Sequence, residues 1–457
     1  MPLIEKSDKM IHNRSVDITF TKEDQHVLDG QSKICNWLYN QLLDLCIKDY
    51  KDNNNDNKYL SGRNLRDQVP LYKSNNLFLK TVHSSPLKNT AIRLKESYKR
   101  FFSKNSGYPK FRPWKKKWFS LLYDEPNKGF KINGREIEIS LGKNELNKHL
   151  HITGTLNESL KINGGEKIST FRLCKRQNTF YGVFTIEKED IKIPRAKPKK
   201  WISIDPNHKN FFVGVDNDGV SVEFDKLKLI KYWDKVIDDL KSQRDACKRK
   251  TRRKGTPNGK FYYVPSERWV RINRALERAY NCRREQIKQA CYTIAHLLAK
   301  EYEKVVIGDY VPSVDTAICD SMHRSMLNEE VIGTFRKTVE WVCYRSKRQY
   351  KAQDEKHTTS DCCICEDREH KDPSVRAFIC KKCGRKLSRD INSCVNIARK
   401  AKLLSSSDYV GWNLYRPTYT VYWNPMLCRV RVTGTLSQKE NVDELNQTDS
   451  SVWAKLI

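Results

Sequence analysis

Polar and apolar positions alternate over residues 15–20 (SVDITF), a period that predicts a half-buried strand. The period then lengthens. Over 24–51, Ile34, Leu38, Leu42 and Leu45 share one helical face, with Trp37 beside them. A polar DNNNDNK loop at 52–58 interrupts, and a second helix is expected over about 87–102, with Ala91, Leu94, Tyr98 and Phe101 inward. From 129 to 188 the pattern is β-rich, with hairpin signals at Asn133-Gly134 and Asn163-Gly164. A cationic stretch with two prolines, IKIPRAKPKK at 191–200, reads as an interdomain linker.

The second half begins with three short strands, WISID, FFVGVD and VSVEF, the last two joined at Asn217–Gly219. Two long basic helices follow, over about 228–250 and 266–303, the second with Ile287, Cys291, Ile294 and Leu298 on its inner face. KVVIGDY at 304–310 is a buried-strand candidate. Helices are expected at 328–349, through Ile332, Phe335, Val339 and Val342, and at 388–402. After 404 only strand-like pieces remain, TYTVYW and CRVRVTG, in a stretch that ends polar. No internal repeat is visible.

The chain has 457 residues, 38% hydrophobic and 10% aromatic, enough for several cores. Its formal net charge is +31. Such a surface meets a polyanion or repels itself, and neutralising phosphates releases counterions. The fifteen cysteines are an odd number and mostly isolated. The start MPLIEKSDKM has no apolar core, and no apolar run approaches the roughly 20 residues of a membrane span. The expectation is a reduced, disulfide-free protein that is not secreted.

Local chemistry concentrates at 358–400. Cys362, Cys365, Cys380 and Cys383 form C-x2-C…C-x2-C, the spacing of a tetrahedral zinc ribbon, with Gly384 after the second knuckle. Cys363 sits inside the first knuckle and is expected to point away. His357 and His370 are possible substitutes that four well-spaced thiols make unnecessary. Asp205 ends the strand WISID before a sharp turn, where RNase-H-like nucleases carry their first metal ligand, and Asp390 opens the helix after the ribbon. Two-metal phosphodiester hydrolysis needs several such carboxylates around two ions, and Mg²⁺ takes oxygen ligands.

Together, ISIDPNHKNFFVGV, VVIGDY and TSDCCIC…ICKKCGRKLSRDINSCVNIA resemble the three RuvC motifs and zinc ribbon of the TnpB family, which includes the Fanzor proteins and is related to type V CRISPR nucleases. CNWLYNQLLD, SSPLKNTAIRLKESYKRFF and GYPKFR are similar to the family's N-terminal half, so the likeness covers roughly residues 10–402. It implies an α+β multidomain fold: a wedge-type β-barrel (1–25 and 109–195) with a helical recognition insert (26–108), an RNase-H-like RuvC domain (196–357 and 388–403) with an inserted zinc ribbon (358–387), and a C-terminal tail (404–457). It also implies an RNA-guided DNA endonuclease: an ωRNA guide pairs with target DNA beside a short adjacent motif, and one RuvC site cuts using two Mg²⁺. A monomeric protein in the RNA complex is expected, nuclear in a eukaryotic host and cytoplasmic otherwise.

Bacterial relatives carry glutamate in the second motif, where this chain has Gly308 followed by Asp309. Successive strand residues face opposite sides, so Asp309 is expected to point away from Asp205 unless the strand bulges. Fanzor proteins typically pair Gly-Asp here with an Asp-Glu ahead of Thr-Ser-x-Cys, which points to Glu355, on the strand leading into the ribbon. The catalytic, magnesium-holding set is therefore Asp205, Glu355 and Asp390. Asn207 stands where glycine is usual in the first motif.

Two basic stretches are candidate nucleic-acid contacts. In KFRPWKKKWF, Lys110, Arg112, Lys115, Lys116 and Lys117 interleave with Trp114, Trp118 and Phe119; these aromatics either stack on unpaired bases or belong to the β core. In CKRKTRRKG, Lys248, Arg249, Lys250, Arg252 and Arg253 contact nucleic-acid backbone, form a nuclear localisation signal, or are a solvated helix end. Two other classes stay open: an RNA-guided DNA-binding protein without cleavage, and a transposase making strand transfers without RNA.

Overall fold

A computed structural model describes residues 9–52, 62–113, 118–144, 146–162, 164–176, 179–189, 198–207, 210–248, 252–255, 261–309, 330–370, 372, 375–405, 408–409 and 411–435. The chain divides into two compact units, Met1–Asp190 and Ile191–Ile457.

The first unit is an antiparallel sheet with helices inserted after its first strand. β1 (Lys9–Thr19) leads into α1 (Lys22–Asp52), α2 (Gly62–Asn75) and α3 (Ser84–Phe102). The other strands are β2 (Ser120–Tyr123), β3 (Phe130–Asn133), β4 (Glu136–Lys143), β5 (His149–Leu156), β6 (Lys167–Arg176) and β7 (Thr179–Glu189). The seven strands run in the order β2-β6-β7-β1-β5-β4-β3, with β2 and β3 at the edges of this sheet, where a wedge-type barrel was expected. β1 pairs with β7 from Lys9 to Ile18 and passes to β5 at Ile18 and Thr19, so one strand joins the two halves. The alternation read in SVDITF puts Val16, Ile18 and Phe20 into the core with Leu38 and Leu42 of α1 and Leu87, Ala91 and Leu94 of α3.

The second unit holds β8 (Trp201–Pro206), β9 (Phe212–Asp216), β10 (Ser221–Phe224), β13 (Lys304–Gly308) and β14 (Gln349–Gln353). Between them lie α4 (Lys228–Lys248), the strand pair β11 (Arg252–Gly255) and β12 (Phe261–Val264), α5 (Glu267–Glu301) and α6 (Glu330–Arg345). β8, β9 and β10 are antiparallel neighbours, while β13 and β14 run parallel to β8. Parallel neighbours need long crossovers, which the helices supply. Ile287, Cys291, Ile294 and Leu298 of α5 and Phe335 and Val339 of α6 share a core with Ile202, Ile204 and Ile307, which covers one face of the sheet.

Of the stretch after 404, read from sequence as a C-terminal tail, residues 419–435 are built into this unit's sheet. β17 (Tyr419–Asn424) pairs in parallel with β10, and β18 (Arg429–Thr435) pairs with β17, giving the order β14-β13-β8-β9-β10-β17-β18. The alternation in YTVYWN is the burial of Tyr419, Val421 and Trp423 on that sheet. Between β14 and α7 (Arg389–Lys400) lies the ribbon, with the short pair β15 (Ala377–Ile379) and β16 (Lys386–Ser388).

Candidate active site and metal ribbon

Strand parity decides which side chains meet. Ile202 and Ile204 of β8 face the α5–α6 core, so Ser203 and Asp205 face the other way, towards α7. The Ser203 hydroxyl donates to the Cys394 carbonyl of α7 at 2.9 Å. On β13, Val305 and Ile307 face the α5–α6 core while Val306 packs against Ile397 of α7 and Ala401 just after it. Gly308 shares the parity of Val306. Since Ile307 pairs with Ile204, one step further sets Gly308 level with Asp205. Asp309, the residue after β13, falls on the opposite parity by strand alternation.

Glu355 supplies the side chain that Gly308 lacks. It stands just past β14, not on it, and its Oε1 lies 1.5 Å from where a Cβ on Gly308 would be built. Its backbone is gripped from both ends: the N–H donates to Asp309 Oδ1 at 3.2 Å, and the carbonyl accepts from Thr358 N at 3.0 Å and Thr358 Oγ1 at 2.9 Å.

The third carboxylate, Asp390, lies in the first turn of α7, and this helix is tied to the Glu355 turn. Asn392 and Asn396 amides donate to the Thr358 and Asp361 carbonyls, and the Ser393 hydroxyl donates to Thr358 Oγ1 at 3.0 Å. Asp205, only 5% exposed, has its pKa pushed well up by burial and then by the charges of Glu355 and Asp390, with the Ser393 hydroxyl and Arg389 opposing. Among the described residues only the four ribbon thiols lie gathered as a metal-holding group; the three carboxyl groups stand near enough for their charges to raise Asp205, and their all-oxygen chemistry would suit Mg²⁺.

Sequence reasoning passed over two neighbours. Arg376, from the ribbon, lies with Nη1 3.1 and 3.2 Å from the two Asp390 oxygens. Its only signal was a lone arginine ahead of a short apolar strand. Thr358, the hub of this hydrogen-bond network, is buried and carries no charge to draw notice. Asn207, just past β8, accepts at Oδ1 from Asn210 N at 2.8 Å.

The four ribbon thiols gather so that all Sγ atoms lie within 4.8 Å of one another. Cys362 and Cys383 Sγ are 3.8 Å apart, and Cys365 and Cys380 Sγ 3.5 Å. A tetrahedron with arms of about 2.3 Å has edges of about 3.8 Å, so the cluster fits one zinc ion. The knuckles close alike: Glu366 N donates to Cys362 O at 2.9 Å and Gly384 N to Cys380 O at 2.8 Å. Glu366 and Gly384 both take left-handed φ, 61° and 69°. Cys363 is buried away from the cluster, its N–H donates to Asn392 Oδ1 at 2.8 Å, and burial pushes its thiol up to about 12. His357 and His370 lie outside the thiol cluster.

The basic candidates fare differently from one another. Lys110 is exposed. Arg112 turns inward: its guanidinium covers the Tyr39 ring at 3.7 Å and donates to Asn36 Oδ1 at 2.9 Å, and its backbone exchanges hydrogen bonds with the Asn40 amide. These contacts lock the segment to α1. Phe119 packs edge-on against Phe180, whereas Trp118 is 50% exposed. Trp114, Lys115, Lys116, Lys117, Arg249 and Lys250 lie outside the described residues. Lys248 ends α4. Arg252 and Arg253 lie on a strand, opposite Val264 and Tyr263, where the sequence pattern suggests only a connection between helices.

Residues 333–397 match the family described as Cas12f1-like, TNB domain. That span runs from α6 to α7 and contains Glu355, all four ribbon cysteines and Asp390. The chain is similar to the protein in a cryo-EM structure of a Cas12f1–sgRNA–target DNA complex, at 14% identity, with 83% of each chain covered and a TM-score of 0.58. This likeness is one of fold. Weaker likenesses, to a CRISPR-Cas12f ternary complex (14% identity, 83% of this chain and 82% of that one, TM-score 0.32) and to CasPhi-2 (Cas12j) bound to crRNA (10%, 59% and 62%, 0.33), carry no argument. No curated protein matches the chain.

Proposed function

We propose that this chain is an RNA-guided DNA endonuclease of the TnpB–Fanzor kind, cutting DNA by Mg²⁺-dependent phosphodiester hydrolysis in a RuvC-type site. One observation carries the reading. Burial and then the charges of Glu355, from the β14 exit, and Asp390, from α7, push Asp205 of β8 up, and the Glu355 carboxyl lies over Gly308. Within the seven-stranded sheet, the antiparallel run β8-β9-β10 followed on the β8 side by the parallel strands β13 and β14 supports an RNase-H-like domain. The fold likeness to a Cas12f1 chain, whose structure is a complex with sgRNA and target DNA, supports RNA and DNA as partners.

In this reading Asp205, Glu355 and Asp390 hold the magnesium ions. The ions, when bound, supply activation of water and stabilisation of the departing oxygen. Ser203 and the Asn392–Ser393–Asn396 face of α7 keep Asp205 and Asp390 in register with the Glu355 turn. Arg376 offers a guanidinium where a strand's phosphate would approach the carboxylates, a charge-assisted contact that steadies the scissile group. The ribbon reaches the site through Arg376. An ωRNA guide selects the target, and the excess of cations neutralises RNA and heteroduplex backbone. The protein acts as a monomer in that complex, in the nucleus if its host is a eukaryote.

The test is cleavage of a plasmid library by protein purified with its bound RNA, in Mg²⁺. Cutting should depend on the guide and on a short flanking motif. Asp205→Ala, Glu355→Ala and Asp390→Ala should each slow it about a thousandfold, roughly 4 kcal/mol of barrier. Cutting that survives RNase treatment, or joined donor–target products, would refute the proposal.

A further inference from the structure

We infer that Gly308 and Asp309 together form a seat for Glu355, in which Gly308 leaves the room for its carboxylate and Asp309 positions its backbone. The inference rests on the reading of Glu355 as a metal ligand and names the residues that make that ligand possible.

The space over Gly308 is filled by the end of one side chain. A Cβ there would stand 1.5 Å from Glu355 Oε1, 2.3 Å from Cδ and 2.6 Å from Cγ. No small rotation clears three successive atoms, so any side chain at 308 displaces the carboxylate. Positions 308 and 355 are therefore exclusive sources of one carboxyl group beside Asp205. Asp309 has the complementary role. Its N–H donates to Gln353 O at 2.9 Å, which extends the β13–β14 ladder by one step. Its Oδ1 accepts the Glu355 N–H at 3.2 Å. Thr358 holds the Glu355 carbonyl from the other side, so both ends of the residue are fixed before its side chain turns over Gly308. Strand parity sends the Asp309 side chain off the opposite face from Gly308, so Asp309 is a positioning residue that acts through Glu355.

Mn²⁺ titration of the full-length protein by EPR tests this, beside the Mg²⁺ dependence of cleavage by the RNA complex and the zinc content of each variant as a check on folding. Gly308→Ala should weaken Mn²⁺ binding at least tenfold, as Glu355→Ala does, and the double variant should lose no more than either alone. Moving the carboxylate with Gly308→Glu/Glu355→Gly should regain most of the affinity lost in Glu355→Gly, which a merely misfolded strand edge would not. Asp309→Ala should weaken Mn²⁺ about tenfold, and Asp309→Asn, which keeps an acceptor oxygen, should stay within about threefold of the parent. Gly308→Ala binding Mn²⁺ like the parent, or a swap variant as weak as Glu355→Gly, overturns the seat. Asp309→Asn as weak as Asp309→Ala makes Asp309 a ligand and overturns its positioning role, as does an Asp309→Ala variant that binds normally. If Glu355→Ala itself leaves affinity and cleavage unchanged, the underlying reading of Glu355 fails instead.

Discussion

Asp205 and Asp216 are buried at opposite ends of one strand pair, and their surroundings give them different roles. Asp205 is crowded by other carboxyl groups. Asp216 closes the turn after β9: its Oδ1 accepts from Asp218 N and Val220 N, both at 3.0 Å, and its Oδ2 from the Tyr302 hydroxyl at 3.1 Å. Burial outweighs these donors and pushes its pKa up from 3.8 to about 7. A folded-state value above the unfolded one means that this group's contribution to stability is complete below about pH 3.8 and is lost as pH rises through about 7. Asp216→Asn keeps an acceptor oxygen without the charge. It should leave thermal stability near pH 4 unchanged and raise it at pH 8, by on the order of 1–3 kcal/mol. Melting curves at the two pH values check this; an equal effect at both would show that charge is not the cause.

At the scale of elements, α7 joins the ribbon to the candidate site. Asn392, itself buried, accepts the Cys363 N–H of the first knuckle and donates to the Thr358 and Asp361 carbonyls. Asn392→Ala leaves that N–H without its acceptor, a loss of about 1–3 kcal/mol. The expected readouts are a lower melting temperature and faster zinc release to a chelator. The ribbon's paired strands, Ala377–Ile379 and Lys386–Ser388, are too short to persist alone, so metal binding is their folding energy. One zinc per chain is expected by elemental analysis. Its removal, or Cys380→Ser, should open 361–388 to proteolysis and depress cleavage together, because the first knuckle and the Glu355 turn hang from the same asparagines. Cleavage that persists after complete zinc loss would uncouple the two.

For the molecule as a whole, charge sets the partner class. With a formal net charge of +31, binding to RNA should weaken steeply with salt. Several phosphates neutralised at once imply a loss of about a thousandfold or more between 50 and 200 mM monovalent salt. Filter binding across that range measures the slope, and a nearly flat response would mean that the cations do not face the nucleic acid. Arg112, spent on Tyr39 and Asn36, should contribute to stability and little to that slope, unlike exposed Lys110.

Much of this protein can be read from short stretches of chain. Helical and strand periods, the turn at Asn133-Gly134, the four thiols in their knuckles and the charge excess all depend on residues close in sequence, where spacing fixes geometry. Asp205 and Asp390 could be named as candidates because each opens or ends a recognisable element. Other features required distant segments to be set side by side. The use of Gly308 depends on β13 lying between β8 and β14 in one register. The approach of Arg376 to Asp390 depends on how the ribbon folds back onto α7. The strands after 404 show as alternation, but only pairing with β10 reveals them as part of the sheet. The reason is physical: backbone periodicity is a local property, whereas the register of neighbouring strands and the face a helix covers are settled by burial across the whole unit.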